Sequence, residues 1–269
     1  MNKISEGRTA EIFEHDHEKV IKLYRTGFPA EAVNYEYEVN QMVAHLGIPS
    51  PIAYEVVDMD QRKGIVFERI EGTTLLRRSV QMPSELERLT YDFTQLHYRI
   101  HQTEIDAERW KGTTMLRQKM ALEHNIRGAS LLSNDVKQQI LDDLERLPDG
   151  ASLCHGDFHP DNVMSGDRAW IIDWMTAMIG NPAGDVARTL LLFRFGTLPD
   201  EAPKNVIDAL EQLRAKINDS YLAHYLSLSG LQYSDIDEWM LPVAAARLSE
   251  WIPDAEKAAL LHFIEDRLR

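Results

Sequence analysis

The stretch LCHGDFHPDN, residues 153–162, places two histidines, two aspartates and an asparagine within ten positions. Such a density of proton-carrying and metal-binding side chains indicates a reaction site. The residues that follow, NVMSGDRAWIID, contain two apolar runs around the turn-forming SGD. The pattern therefore predicts a loop that carries the polar side chains and leads directly into a β-hairpin.

This loop fits two kinds of chemistry, and the first is metal-dependent hydrolysis. His155, Asp157 and His159 alternate in a way that resembles the ligand clusters of metallohydrolases. A site of that kind needs further ligands, and the later histidines, His224 and His262, lie in segments with a helical pattern. A metal-dependent hydrolase therefore stays the alternative.

Phosphoryl transfer uses more of the loop. Protein kinases carry their catalytic aspartate two residues after a histidine and a metal-binding asparagine five residues after that aspartate. The spacing of His155, Asp157 and Asn162 is the same, and Asp173 follows at the end of the predicted hairpin. We therefore predict Asp157 as the catalytic base and Asn162 with Asp173 as ligands of Mg²⁺, which prefers oxygen donors.

The N-terminal region has a β-rich pattern. Two short apolar stretches around the turn-like HDHEK predict a hairpin that ends at Tyr24, and a helical period covers residues 30–46. Two further β-rich runs follow at 52–59 and 63–70. Residues 1–70 are thus predicted to form a small antiparallel β lobe with one main helix, which would bind a nucleotide.

Residues 71–269 are mostly helical in pattern. A capping box of Ser84 and Glu87 is predicted to begin the first long helix. Further helices are predicted near 115–127, 134–147, 184–195, 203–228, 235–250 and 254–268. The chain should therefore be an α+β protein with a larger, helical C-terminal lobe that contains the catalytic loop and the acceptor site.

Two charged residues stand out in the N-terminal lobe. Lys22 lies within the apolar strand VIKLY, and Glu36 precedes Val39 and Val43 by three and seven positions, so it shares their inward helix face. Kinases use a lysine paired with a helix glutamate to orient the α- and β-phosphates. Lys22 and Glu36 are predicted to form this pair.

The donor nucleotide is predicted to be ATP, with GTP possible. The run VFERIEG, residues 66–72, is expected to cross between the lobes and to offer the backbone of Glu68 and Ile70 to adenine. The phosphate-covering segment EGRTAEIF contains one glycine, Gly7, where protein kinases have three. This departure speaks against a protein kinase.

Composition excludes several other classes of protein. The formal net charge of -14 argues against nucleic acid or an anionic membrane as the main partner. The single cysteine, Cys154, excludes an internal disulfide framework and is expected to be a buried apolar residue. No stretch of about 18 apolar residues is present, so a cytoplasmic protein is expected.

Together these motifs resemble the aminoglycoside phosphotransferase and choline kinase group, which are small-molecule kinases with a protein-kinase-like fold. The resemblance covers nearly the whole chain and rests on VIKLY, VFERIEGTTL, LHYRIH, LCHGDFHPDNVM and WIIDWMTAMIGNPAGDVARTL, in that order. It implies a two-lobed fold and the roles given above for the base, the Mg²⁺ ligands and the lysine–glutamate pair. It also implies that Asp185 braces the loop.

The resemblance implies a small-molecule acceptor with a hydroxyl group. Glu250, Asp254 and Glu256 could bind a cationic acceptor, or they could be exposed charges in a first helical turn. The fold and the catalytic loop do not select among acceptors. A nucleotide-binding regulator without turnover remains a further alternative.

Overall fold

The computed structural model of the chain describes residues 1–105, 115–197 and 204–269. The strands in this part are β1 (Lys3–Glu6), β2 (Ala10–Glu14), β3 (Lys19–Tyr24), β4 (Ala53–Met59), β5 (Arg62–Glu68), β6 (Thr73–Thr74), β7 (Ser152–Cys154), β8 (Val163–Ser165), β9 (Ala169–Ile171) and β10 (Met178–Gly180). The helices are α1 (Ala30–His45), α2 (Leu75–Gln81), α3 (Leu86–His101), α4 (Gln118–Gly128), α5 (Asn134–Arg146), α6 (Pro182–Phe195), α7 (Lys204–Ser229), α8 (Tyr233–Arg247) and α9 (Asp254–Arg267). The predicted helix 203–228 corresponds to α7, and residue 203 lies outside the described residues.

The first compact unit comprises Met1–Arg78 and Pro160–Ala177. Its main sheet is antiparallel with the order β1-β2-β3-β5-β4, and α1 packs against β4 and β5. Tyr24, Val33 and Ile65 are among the buried side chains of its core. The predicted order of strand, strand, helix, strand, strand corresponds to β2, β3, α1, β4 and β5, and β1 precedes it. Strand β1 was missed because its four residues are all exposed and carry no clear apolar alternation.

Strand β3 lies inside this sheet, between β2 and β5. Lys22 is opposite Ile12 on one neighbouring strand and Ile65 on the other. Its side chain is only 11% exposed. Because a buried ammonium group is costly unless it is paired, this position requires an anionic partner.

A second sheet of the same unit has the order β6-β8-β9. In the predicted hairpin, Val163 pairs with Ile171 and Ser165 with Ala169. Two residues beyond β9, Asp173 has a φ of 65° and lies in the left-handed region. Few non-glycine residues adopt this conformation, and those that do are found preferentially at functional sites.

The second compact unit comprises Ser79–His159 and Met178–Arg269 and is mainly helical. Helix α3 packs against α7, α6 packs against α8, and β7 pairs with β10. Phe93 and Phe158 stack in its interior with ring centroids 4.5 Å apart. Among the described residues, none of the helices has the length and apolar character needed to cross a membrane.

The compact units differ from the functional lobes predicted from the sequence. The sequence divides the chain at residue 70, whereas the first unit extends to Arg78 and also takes in Pro160–Ala177. The units describe packing alone, so the lobes 1–70 and 71–269 stay a prediction about function.

The predicted capping box of Ser84 and Glu87 is wrong. A 3₁₀ turn with proline at its start precedes α3, which begins at Leu86 without a side-chain cap. The Glu87 carboxylate accepts hydrogen bonds instead from Ser220 at 2.9 Å and His224 at 2.8 Å, both on α7. The Glu87 side chain therefore joins α3 to α7, whereas the local sequence pattern predicts that it caps α3.

Candidate active site

Four side chains of the first unit form the Lys22 cluster, namely Lys22, Tyr24, Glu36 and Asp173. The ammonium group of Lys22 donates to both Glu36 oxygens, at 2.7 and 3.0 Å, and to Asp173 Oδ1 at 2.9 Å. The Tyr24 hydroxyl donates to Glu36 Oε2. The pairing of Lys22 with Glu36 expected from the sequence is present, and Tyr24 is a partner that sequence reasoning missed.

The charges of the Lys22 cluster depend on one another. Burial lowers the pKa of Lys22, but Asp173 and Glu36 outweigh this effect and hold that pKa well above its usual range. Burial raises the pKa of Glu36, and the attraction of Lys22 is partly offset by the negative charge of Asp173. Lys22 is therefore a fixed positive charge with two carboxylates around it.

The two predicted Mg²⁺ ligands lie in the same unit and are joined by the backbone. The N–H of Ile172 donates to the carbonyl of Asn162 at 3.0 Å, which ties the loop to the residue before Asp173. Asn162 is 6% exposed and the Asp173 side chain 34% exposed. A carboxylate and an amide oxygen are hard oxygen donors, so these two side chains fit a magnesium ion in their chemistry.

Glu68 and Ile70, predicted to contact adenine, lie at the end of β5 and just beyond it. The N–H of Glu68 donates to the carbonyl of Ile52 at 2.8 Å, and its carboxylate accepts from the N–H of Ile52 at 3.2 Å. An adenine contact by Glu68 would therefore use its carbonyl oxygen.

Asp157 lies in the second unit, in a loop that follows β7. Its N–H donates to His155 Nδ1 at 3.3 Å, Arg188 donates to its Oδ1 at 3.4 Å, and His159 Nε2 lies 3.5 Å from its Oδ2. Burial raises the pKa of the carboxyl, but His159, Arg188 and Arg247 together hold it well below its usual range. Asp157 is therefore ionised at neutral pH and is 29% exposed.

Side chains on one face of α6 form hydrogen bonds with residues 155–158 of the loop that carries Asp157. Asp185 accepts from the backbone N–H of His155 at 2.7 Å and of Gly156 at 2.8 Å. Thr189 donates to the carbonyl of Phe158 at 2.9 Å. With the contact of Arg188 to Asp157, the residues at positions i, i+3 and i+4 of one helix face reach four consecutive loop residues. The bracing position implied for Asp185 is the one that the structure shows.

Behind the loop, two histidines of α3 share the same carboxylate and form the Asp185 cluster, which consists of His97, His101, Asp185, Tyr221 and Tyr225. Each histidine donates through Nε2 to Asp185 Oδ2 at 3.1 Å and accepts a tyrosine hydroxyl at Nδ1. Burial and the neighbouring His101 lower the pKa of His97 to about 3. His97 is therefore neutral at physiological pH and donates to Asp185 without carrying a positive charge.

The Asp185 cluster is the one group among the described residues in which three His, Cys, Asp or Glu side chains converge as metal ligands could. Asp185 Oδ2 also accepts the backbone N–H of His155, so hydrogen bonds account for its geometry. Sequence reasoning missed this cluster. The signal was the pair of histidines four residues apart in HYRIH, on the same face as Phe93 and Ile100.

Two of the three acidic residues considered for a cationic acceptor, Glu250 and Glu256, are engaged within the protein. Glu256 is fully buried and pairs with Arg247, so neither interpretation of this residue holds. Glu250 pairs with Arg188 and Arg247. It lies beyond α8, which ends at Arg247 rather than at residue 250 as predicted. Asp254 alone is an exposed charge in the first turn of α9.

The sequence model of the phosphotransferase enzyme family matches residues 2–227. The chain belongs to this family. The match confirms the class of enzyme expected from the catalytic loop. No curated protein matches this phosphotransferase in sequence.

Solved structures show the same fold. An aminoglycoside-3'-phosphotransferase of type VIII is 17% identical with a TM-score of 0.61, and the similarity covers 91% of each chain. A choline/ethanolamine kinase family protein from Mesorhizobium loti is 13% identical with a TM-score of 0.60, covering 100% of this chain and 87% of the other. APH(2")-IIa, in a ternary complex with streptomycin and ATP, is 16% identical with a TM-score of 0.55, covering 97% and 90%. These likenesses confirm the kinase-like α+β fold predicted for this phosphotransferase.

Proposed function

We propose that this phosphotransferase transfers the γ-phosphoryl group of ATP, or of GTP, to a hydroxyl group of a small molecule. The observation that carries the proposal is the bonding of Lys22 to both Glu36 and Asp173. Phosphoryl transfer needs a lysine on the nucleotide phosphates, a glutamate that orients it and a metal-binding carboxylate nearby. The Lys22 cluster supplies these three groups.

Residues 1–70 would bind the nucleotide. Lys22, oriented by Glu36, would contact the α- and β-phosphates, and the backbone of Glu68 and Ile70 would contact adenine. A similar structure supports a nucleotide donor, because APH(2")-IIa was solved in complex with ATP. The helical region 71–269 would supply the catalytic loop and the acceptor site.

Asn162 and Asp173 would hold Mg²⁺ through their oxygen atoms. When bound, the ion would neutralise charge on the phosphate oxygens, which is the main electrostatic requirement of this reaction. The cluster of Lys22, Glu36 and Asp173 has one positive and two negative charges. The surplus carboxylate charge suits a position beside a cation.

Asp157 would orient the acceptor hydroxyl and accept its proton at a carboxylate oxygen. Its low pKa keeps it ionised, so it is ready to accept a hydrogen bond at neutral pH. A carboxylate of low basicity suits a loose transition state, in which the proton moves late and positioning contributes most.

Two observations weigh against the alternatives. The buried Nδ1 of His155 accepts the N–H of Asp157, so a hydrolase metal centre on His155, Asp157 and His159 would have to displace this bond. A regulator without turnover has no chemical need for the full set of Lys22, Glu36, Asp157 and Asp173. Turnover itself separates the regulator from the enzyme.

The test is an assay of nucleotide consumption with pooled acceptors. The names of similar structures suggest pools of aminoglycosides and of choline-like amino alcohols, and macrolides and sugars extend the panel. With Mg²⁺ and ATP or GTP, we expect turnover that depends on one pool. Asp157→Ala should lower it on the order of 10²- to 10⁴-fold.

Two results would contradict this function. Full activity of folded Asp157→Ala would remove Asp157 as the base. Tight zinc in the purified protein, without nucleotide binding, would favour the hydrolase.

A further inference from the structure

Residues beyond 227, where the family match ends, are connected to Asp157 through Arg188. The match ends at residue 227, and α8 and α9 lie beyond it. Arg247 at the end of α8, Glu250 in the following connection and Glu256 in α9 are linked to Arg188 of α6. We call Arg188, Glu250, Arg247 and Glu256 the Arg188 relay.

The contacts of the relay alternate in charge from Asp157 outward. Arg188 donates to Asp157 Oδ1 at 3.4 Å and binds Glu250 with both terminal nitrogens, one of them at 2.9 Å from Oε2. Arg247 donates to the same Glu250 Oε2 at 2.8 Å. Its Nε donates to Glu256 Oε1 at 2.6 Å, and a terminal nitrogen contacts the same oxygen.

This geometry fixes the direction of the Arg188 guanidinium group. A guanidinium bound by two nitrogens to one carboxylate has its plane determined by that carboxylate. Glu250 is held in turn by Arg247, which is 4% exposed. Nη2 of Arg188, which also binds Glu250 Oε2, is therefore aimed at Oδ1 of Asp157 and restricts rotation of that carboxyl group.

Stability alone does not account for the relay. Replacing buried ion pairs by apolar side chains is often neutral or stabilising. The Nε of Arg188 and the Oε2 of Glu256 are buried without a hydrogen-bond partner among the described residues, which adds a desolvation cost. A network with such a cost is better explained by the position that it gives to Asp157.

We propose that the Arg188 relay positions Asp157 for phosphoryl transfer, so that the C-terminal helices take part in catalysis through Arg188. The proposal rests on the proposed function, in which Asp157 is the catalytic base. Arg188, Glu250, Arg247 and Glu256 are positioning residues and need not touch the substrate. Their effect should decrease with distance from Asp157, since each link adds freedom.

The test compares Arg188→Gln, Arg188→Lys and Glu256→Gln in the full chain. With the active acceptor pool, Arg188→Gln should lower kcat about tenfold or more and leave the KM for nucleotide within about twofold. Arg188→Lys should recover only part of this loss, because an ammonium group lacks the planar fork. Glu256→Gln should lower kcat by about threefold.

Arg267→Gln is the matched control. Arg267 of α9 binds Asp237 of α8 with two nitrogens, at 2.8 and 2.5 Å, so it joins the same two helices as the pair of Arg247 and Glu256. It should leave kcat unchanged. An equal loss of kcat in Arg267→Gln and Glu256→Gln would overturn the proposal, as would an unchanged kcat in Arg188→Gln. If Arg188→Gln does not fold, Arg188→Lys and Glu256→Gln decide in the same way.

A second measurement needs no acceptor. With carbon-13 in the aspartate carboxyl groups, the Asp157 resonance is assigned by its loss in Asp157→Asn and is recorded at neutral pH. We expect it to shift in Arg188→Gln and Glu256→Gln and not in Arg267→Gln. An unchanged resonance in the first two overturns the relay. If the Asp157 resonance shifts in these variants but the unmodified protein shows no turnover, the proposed function is rejected. The conclusion that the relay positions the Asp157 carboxyl group would still hold.

Discussion

Glu36 of the first compact unit and Asp185 of the second are both buried almost completely, and the two carboxylates are stabilised in different ways. Glu36 is 1% exposed and relies on the ammonium group of Lys22, which Asp173 also uses. Asp185 is also 1% exposed, but it accepts N–H groups from the backbone and from two histidines. Burial raises the pKa of Glu36, whereas at Asp185 the hydrogen bonds from His101 and His97 overcome the effect of burial and hold the pKa well below its usual range.

The difference shows how a buried negative charge can be maintained. A single lysine shared between two carboxylates stabilises each of them incompletely. Several fixed N–H donors directed at one carboxylate stabilise its charged form without a full positive charge. The Lys22 cluster should therefore be sensitive to loss of its cation, and the Asp185 cluster to loss of its acceptor.

The largest effect should come from removing the cation. Lys22→Met leaves Glu36 buried without its ionic partner, and we expect the free energy of unfolding to fall by about 3–5 kcal/mol. Urea denaturation measures this change. Lys19→Met, on the same strand, should lower it by less than about 1 kcal/mol, and Lys22→Met with Glu36→Gln should recover part of the loss. If Lys22→Met and Lys19→Met lower the free energy of unfolding equally, buried Glu36 does not depend on the Lys22 ammonium group.

Removing the negative charge of Asp185 should have the next largest effect. In Asp185→Asn an amide NH₂ replaces one acceptor oxygen and faces N–H donors of the loop or of the histidines. We expect a loss of about 3 kcal/mol in the free energy of unfolding, together with lower phosphotransfer. Asp142→Asn on α5 is the exposed control. If Asp185→Asn is as stable as Asp142→Asn, the four N–H groups that donate to Asp185 must find other acceptors in the variant.

The neutral histidine of the Asp185 cluster gives a pH dependence with a definite sign. An unfolded histidine has a pKa of about 6.5, whereas that of His97 in the fold is lowered to about 3. Below about pH 6.5 the unfolded chain binds a proton that the folded chain does not, so stability falls as pH falls. The slope from His97 approaches about 1.4 kcal/mol per pH unit and should disappear in His97→Gln, as measured by urea denaturation between neutral pH and about pH 5. Parallel pH profiles for the two proteins would refute this assignment.

The smallest effect concerns the second donor to Glu36. Tyr24→Phe removes the hydroxyl that donates to Glu36 and should lower the free energy of unfolding by about 1.5 kcal/mol. The matched control is Tyr37→Phe, since the exposed hydroxyl of Tyr37 donates only to the carbonyl of Tyr54 at 3.2 Å. A loss as large as that of Lys22→Met would mean that the Tyr24 hydroxyl stabilises Glu36 as much as the Lys22 ammonium group does.

The contrast between the clusters also explains what the sequence could predict. The partners of the Lys22 cluster come from local patterns, because a lysine in an apolar strand and a glutamate on an inward helix face are each visible within seven residues. Asp157, Asn162 and Asp173 were visible for the same reason, since one loop and one hairpin carry them. Their positions in the chain follow from these local patterns, and their roles stay predictions.

The remaining features depend on contacts between distant segments. The histidines of α3 lie more than eighty residues before Asp185, and Arg188 meets Glu250 sixty-two residues later in the chain. Local periodicity contains no information on such pairs. The capping box of Ser84 and Glu87 failed for the same reason, because α7 supplied other partners for Glu87.

The face of α6 that carries Asp185, Arg188 and Thr189 has a consequence for how this region can evolve. Each residue of an α-helix advances about 100° around its axis. An insertion or deletion between Asp185 and Arg188 would therefore turn Arg188 and Thr189 away from the loop while Asp185 stayed in place. A substitution changes the contact of one of these side chains with the loop, whereas a change in the number of residues would break the contacts of Arg188 and Thr189 together. The number of residues in this turn should therefore be inherited more strictly than their identity.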